Sequence, residues 1–222
     1  MQIVKFNEDV IKVLKNFQTI NPSIYLKKGN VITTKSDGNY IFARYENTDM
    51  PAFETDFAIY KLGKFISLLS FFDDPEVEIH DKFLLVKSGK HEARMLLCDP
   101  SAIPYPKKDN VAFPPVNIEV SVTANHINAI KKSFAVMELP EVAFIGDGET
   151  ISLAAINHKE EHGDSYKIDV GLTDKTFQAI FNVNHLEIIP ADYDVSISSK
   201  GIARFKNDKL MYCIAVEKDS KF

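Results

Sequence analysis

Asp99–Asn117 reads DPSAIPYPKKDNVAFPPVN and holds five of the chain's 10 prolines. Proline fixes φ and removes an amide donor, so Pro104, Pro106, Pro114 and Pro115 cannot sit inside a helix or a sheet ladder, and the stretch is drawn into an extended connector. It divides the 222 residues into two domains, 1–98 and 118–222, with 99–117 between them. On either side of it the same plan is used twice.

Before the connector, QIVKF is strand-like and NEDVIKVLKNF is a helix: Asn7 caps it, Glu8 and Asp9 sit in the first turn, and Val10, Val13, Leu14 and Phe17 recur at helical spacing. Alternating runs follow around the Lys28-Gly29-Asn30 and Ser36-Asp37-Gly38-Asn39 turns, a meander of hairpins. FETDFAIY leads into a second helix, KLGKFISLLSFF, with Leu62, Phe65, Ile66 and Leu69 as its buried stripe. EVEIH, FLLVK and HEARMLLC close this half as strands.

After the connector comes VNIEVSV, then Thr123 as cap of ANHINAIKKSF, whose Ile127, Ile130 and Phe134 point inward. Strands EVAFIG, ETISLAAI, SYKIDVGL and TFQAIFNV precede a fourth, short helix, NHLEII, that stops before Pro190. DYDVSIS, IARF and LMYCIAVE finish the chain. Asn7 and Thr123 lie 116 positions apart, and Lys61 and Asn184 lie 123 apart, so order and spacing imply a duplicated unit of about 120 residues. The fold class is α+β: two similar domains, each with two helices packed on antiparallel sheets.

A net charge of −5 argues, taken alone, against a nucleic-acid binder. Its distribution says otherwise. Over the four helical stretches, six lysines (Lys12, Lys15, Lys61, Lys64, Lys131, Lys132) face three acids (Glu8, Asp9, Glu187), leaving the rest of the chain at −8. Basic helices on an acidic body suit a polyanion that meets the helical side. No apolar run approaches the roughly 18 residues of a membrane span, and MQIVKFNED gains charge too early for a signal peptide, so the expectation is a soluble protein that is not secreted. Cys98 and Cys213 read as thiols of a reducing compartment.

Catalytic motifs are missing. Ser88-Gly89-Lys90 lacks the upstream glycine of a phosphate loop, and neither H-E-x-x-H nor G-x-S-x-G occurs. The nearest approach to a metal set is His158, Glu160, Glu161, His162 and Asp164, which in a polar loop reads as a solvated turn. No catalytic residue, metal or cofactor is expected. The rival readings are a metal-dependent hydrolase built on that loop and a β-rich structural protein.

LKNFQTINPSIYLKKGNVITT at 14–34, DFAIYKLGKFISLLS at 56–70, the DPS and AFPPV ends of the connector, FNVNHLEIIPADY and the closing CIAVEKDSKF resemble the DNA polymerase sliding clamp of T-even-type tailed phages. The resemblance implies the DNA clamp fold and a closed homotrimeric ring around duplex DNA. It also implies a non-enzymatic tether for the replicative polymerase, loaded by an ATPase, serving late transcription as well, in the cytoplasm of an infected bacterium. Lys12, Lys15, Lys61, Lys64, His126, Lys131 and Lys132 would then meet phosphates without reading sequence, as lysine point charges do. In such clamps the last strand of the first domain pairs with the strand before helix four of a neighbour, which here sets Leu96 and Leu97 against Ile180 and Phe181. A partner's C-terminal peptide enters a pocket by the connector and the last strands, for which Phe113, Pro114, Val116, Tyr193, Tyr212 and Ile214 are the candidates.

Overall fold

The computed structural model describes residues 1–46, 50, 52–160 and 162–222, which fall into two compact units, Met1–Asn110 and Val111–Phe222. The first unit comprises β1 (Gln2–Val4), α1 (Glu8–Ile20), β2 (Ile24–Leu26), β3 (Val31–Lys35), β4 (Ile41–Glu46), β5 (Phe57–Ile59), α2 (Leu62–Phe71), β6 (Glu76–Ile79), β7 (Phe83–Ser88) and β8 (His91–Leu96). The second comprises β9 (Ile118–Val122), α3 (Ala124–Val136), β10 (Glu141–Asp147), β11 (Thr150–Ile156), β12 (Tyr166–Leu172), β13 (Thr176–Asn182), a 3-10 turn (Val183–His185), β14 (Tyr193–Ser198), β15 (Ile202–Lys206) and β16 (Leu210–Ala215).

Matched position by position, the two series run in the same order, with a 3-10 turn in the second where the first has α2. Their sheets match too. β1-β6-β7-β8 in the first unit corresponds to β9-β14-β15-β16 in the second, and the ladders β2-β5 and β3-β4 correspond to the antiparallel sheet β12-β11-β10-β13.

Helix positions follow from their caps and stripes. Asn7 Oδ1 accepts from the Val10 amide at 2.9 Å, and the expected stripe of Val10, Val13, Leu14 and Phe17 is buried. α2 buries Leu62, Phe65, Ile66 and Leu69 and packs against α1. In the second unit, Phe144, Phe181, Phe205 and Tyr193 pack ring against ring at 6.1 to 6.3 Å, which ties the two sheets of that unit through one aromatic core. Phe134, expected inside, is only half-buried.

The fourth helix is not formed. Asn184–Ile189 contributes to a 3-10 turn and then runs irregularly, because six residues ahead of a proline cannot repay helix nucleation, while Leu186, Ile188 and Ile189 are all drawn into the core. The backbone freed by this is satisfied from side chains. Tyr193 Oη donates to the Ile189 carbonyl at 2.6 Å and Lys131 Nζ to the Ile188 carbonyl at 3.1 Å.

The proline-rich stretch is extended but not free. Its first part is held on the first unit: Asp99 caps the 3-10 turn Pro100–Ala102, Asn21 Nδ2 donates to the Pro104 carbonyl at 3.1 Å, and Lys27 pairs with Asp109 at 2.6 Å. Its second part is held on the other unit, where Ser198 Oγ donates to the Pro115 carbonyl at 2.7 Å and Asn117 N to the Ile197 carbonyl at 2.9 Å. Both cysteines are free thiols, and burial pushes Cys213 up to about 11. No helix among the described residues is long and apolar enough to cross a membrane.

Asp56 braces the β2-β5 end of the first unit, accepting from the Lys28 amide at 2.6 Å and from the Tyr25 hydroxyl at 2.7 Å. These bonds, the amide's first, hold its carboxyl below the ordinary 3.8. A depressed folded-state value contributes stability above the ordinary one and loses it as pH falls through the folded one. Asp56→Asn should therefore lower the urea midpoint at pH 7, with the gap from the parent closing as the pH drops below 3.8.

Candidate nucleic-acid and subunit interfaces

On α1, Lys12 and Lys15 are exposed and occupy the side away from the buried stripe; on α2, Lys64 does the same, and Lys61 is the exposed N-cap residue. No side chain caps the start of α2, so its partial positive charge adds to that of the two lysines. Lys132 is the exposed cation of α3. Among the described residues none of these five is in an ion pair. The ion-paired lysines lie off the helices: Lys5 with Asp74 at 2.6 Å, Lys27 with Asp109 at 2.6 Å, and Lys87 with Glu78 at 2.6 Å.

Two members of the expected phosphate set are engaged elsewhere. Lys131 is half-buried, its ammonium donates to the Ile188 carbonyl, and desolvation lowers its pKa while Glu187 opposes that shift. His126 closes a capping box: its amide donates to Thr123 Oγ1 at 3.3 Å, and its Nδ1 accepts from the Thr123 amide at 3.3 Å. His126 thus serves α3 as part of its N-terminal cap.

The strand edges correct the expected subunit contact. β8 is an edge of its sheet, and Leu96 on it is 70% exposed. Ile180 and Phe181 cannot oppose it, being 1% and 0% exposed: Phe181 is one of the rings of the aromatic core, and Ile180 packs with Ala143, Ala154 and Ile156. The free side of β13 is also taken, by the segment Glu217–Lys221. The open edge of that sheet is β12, where Leu172 is 84% exposed and Lys167 and Asp169 face solvent. Its alternation of apolar and charged residues was the available signal, but only the strand order shows that no neighbour covers it.

The peptide-pocket candidates divide as well. Tyr193, Tyr212 and Ile214 are interior, and burial raises the pKa of both tyrosines. Phe113 and Pro114 are half-buried and Val116 is exposed, with the Arg204 guanidinium 4.6 Å from the Phe113 ring. A cleft of about 860 Å³ in the second unit lies instead along β9, β12 and β14, lined in part by Glu119, Ser121, Leu172, Asp194 and Lys206.

The metal reading loses its first ligand. His158 Nδ1 lies 2.7 Å from Glu141 and Nε2 3.3 Å from Asp219, both outside the proposed set, and Glu160 accepts from Asn157. Glu161 lies outside the described residues, and among those described no His, Cys, Asp and Glu gather as a metal site.

A doubled domain of this order, with basic helices and two open strand edges, can be compared with known proteins. Residues 7–103 match the family model described as DNA polymerase processivity factor, and residues 119–218 match the one described as gp45 sliding clamp, C terminal. The chain belongs to the sliding-clamp family. It is 29% identical to the sliding clamp of Vibrio phage KVP40 over 96% of this chain and 99% of that one, and 26% identical to the sliding clamp of Enterobacteria phage T4 over 98% of each. In fold it is similar to the A. fulgidus PCNA solved with the C-terminal region of FEN-1, at a TM-score of 0.72, 16% identity and full coverage of both chains. The PCNA of Entamoeba histolytica gives 0.71 at 13% identity over 97% of this chain and 98% of that one. A sliding clamp is a processivity factor for DNA polymerase and not an enzyme.

If His126 is a cap, removing its ring should be felt in stability. His126→Ala should lower the midpoint of a thermal or urea melt, and His126→Gln, which can rebuild the box, should recover most of the loss.

Proposed function

We propose that this sliding clamp works as a closed homotrimer threaded by duplex DNA, with α1, α2 and α3 of each copy toward the hole. The observation that supports this reading best is the set of five helical lysines, Lys12, Lys15, Lys61, Lys64 and Lys132, exposed and without an acidic partner among the described residues of a chain whose net charge is −5. Fifteen such cations in three copies attract phosphates at long range and hold none of them in a fixed register. Lysine's compact charge on a flexible stem reads no sequence, and an acidic remainder discourages contact elsewhere. That combination permits sliding.

Ring closure in this reading joins β8 of one copy to β12 of the next. Each edge is unpaired in the single chain, each exposes a leucine, and each carries both signs of charge, Glu92 and Arg94 on β8 and Lys167 and Asp169 on β12. Leu96 and Leu97 remain the proposed contacts on the β8 side. The polymerase is tethered by a terminal peptide seated against Phe113, Pro114 and Val116, a mode consistent with the fold relative solved with a C-terminal peptide region bound. We extend the partner set, on the resemblance to T-even-type clamps, to a loading ATPase and to phage late-transcription factors, and place the protein in the cytoplasm of the infected host.

Encirclement and adhesion differ in their salt response. Once loaded on nicked circular DNA, the clamp should stay bound at salt that abolishes simple binding, and a single cut in the circle should release it; retention on the linear form overturns the reading. In the same assay Lys12→Glu with Lys132→Glu should reduce loading at least tenfold, while Lys131→Met changes it less than twofold. Closure is tested by charge exchange. Arg94→Glu should shift the mass measured by light scattering from trimer toward monomer, and adding Asp169→Arg should restore it.

A further inference from the structure

β13 reads TFQAIFN, seven residues without a charge or a proline, and one of its sides faces away from β10. Such a strand is the kind of edge that a second chain adopts: polar backbone exposed in a regular row, apolar side chains on either face, and no lysine or bulge to discourage pairing. It is not left open. The segment Glu217–Lys221 lies along it, with Gln178 N donating to the Lys221 carbonyl at 2.8 Å, Lys221 N to the Gln178 carbonyl at 2.9 Å, and Glu217 N to the Ile180 carbonyl at 2.8 Å. A second outward donor, Ile180 N, is taken by Ser220 Oγ at 2.9 Å.

The segment is also pinned from its sides. Asp219 lies 3.3 Å from His158 Nε2, and Glu217 lies 3.8 Å from His185 Nδ1. It supplies what β13 lacks: Glu217, Lys218, Asp219 and Lys221 give four charges in five residues. The first unit repeats the move in shorter form, since the residue two beyond β8, Cys98, donates its amide to the Ala58 carbonyl of β5, the counterpart of β13. In both units the chain, on leaving its last strand, turns back to cover the fifth.

We propose that Glu217–Lys221 is a guard on the β13 edge that prevents a second copy of this chain from pairing there through its own β13. Two uncharged antiparallel edges of identical sequence are self-complementary, so uncovering them creates a two-fold contact unrelated to β8 and β12. The guard makes assembly choose its edge.

A chain ending at Val216 tests this, compared with the full chain by light scattering and by amide hydrogen exchange. In dilute solution the amides of Gln178 and Ile180 should exchange at least tenfold faster in the shortened chain. As concentration rises, species of twice the full chain's assembled mass or more should appear, and Gln178→Lys in the shortened chain should abolish them by setting like charges across the new contact. Where the shortened chain loses its fold, the full-length Ser220→Ala/Lys221→Pro variant opens the same edge and carries both readouts. Exchange at Gln178 and Ile180 unchanged by these variants, or a mass distribution identical to that of the full chain over the same concentrations, overturns the guard. Because the exchange readout does not depend on how many copies form the assembly, a failed trimer reading and a failed guard are told apart.

Discussion

Backbone groups along a strand edge must find partners, and in a protein made of two sheet-rich units this requirement decides most of what the surface can do. The sheet β12-β11-β10-β13 has one edge covered from within the chain and one left open. The open one alternates charge with exposed apolar side chains, which suits a contact that has to be made by another molecule. The covered one is apolar and uncharged, and the chain spends its own segment on it. The contrast between β12 and β13 is therefore chemical as well as topological.

The helices follow a second constraint. A lysine next to a carboxylate is neutralised locally, and a lysine beside nothing of opposite sign projects its field into solvent. Lys5, Lys27 and Lys87 belong to the first kind, tied to Asp74, Asp109 and Glu78. Lys12, Lys15, Lys61, Lys64 and Lys132 form no ion pair among the described residues. Lys131 belongs to neither: with the fourth helix replaced by an irregular run, the Ile188 carbonyl has no helical partner, and the ammonium supplies one. A charge that looks like part of a binding face is in this case part of the packing.

Residues local to one element were legible. Asn7 and Thr123 as caps, the stripes of α1 and α2, and the succession of strands along the chain on both sides of the connector all follow from periods of two or 3.6 residues and from turn chemistry, which act over a few positions. Asn184–Ile189 was misread for a related reason. Its apolar residues sit at helical spacing, but so do those of any short segment whose side chains are buried one after another, and only the groups that answer its backbone, Tyr193 and Lys131, distinguish the two. The ring of His126 has a second role that its spacing from Thr123 did not suggest, closing the capping box of α3.

The sequence by itself determined the duplicated order, the helix caps and the excess of lysine on the helices, because each of these depends on residues near one another along the chain. Tertiary structure alone decided which strand edge is open, which tyrosines are interior, and which lysine is consumed in packing. Those outcomes rest on pairings between distant segments, β13 with Glu217–Lys221 and Lys131 with Ile188, and no local pattern records whether a hydrogen-bonding group will meet its partner from far along the chain or from another molecule.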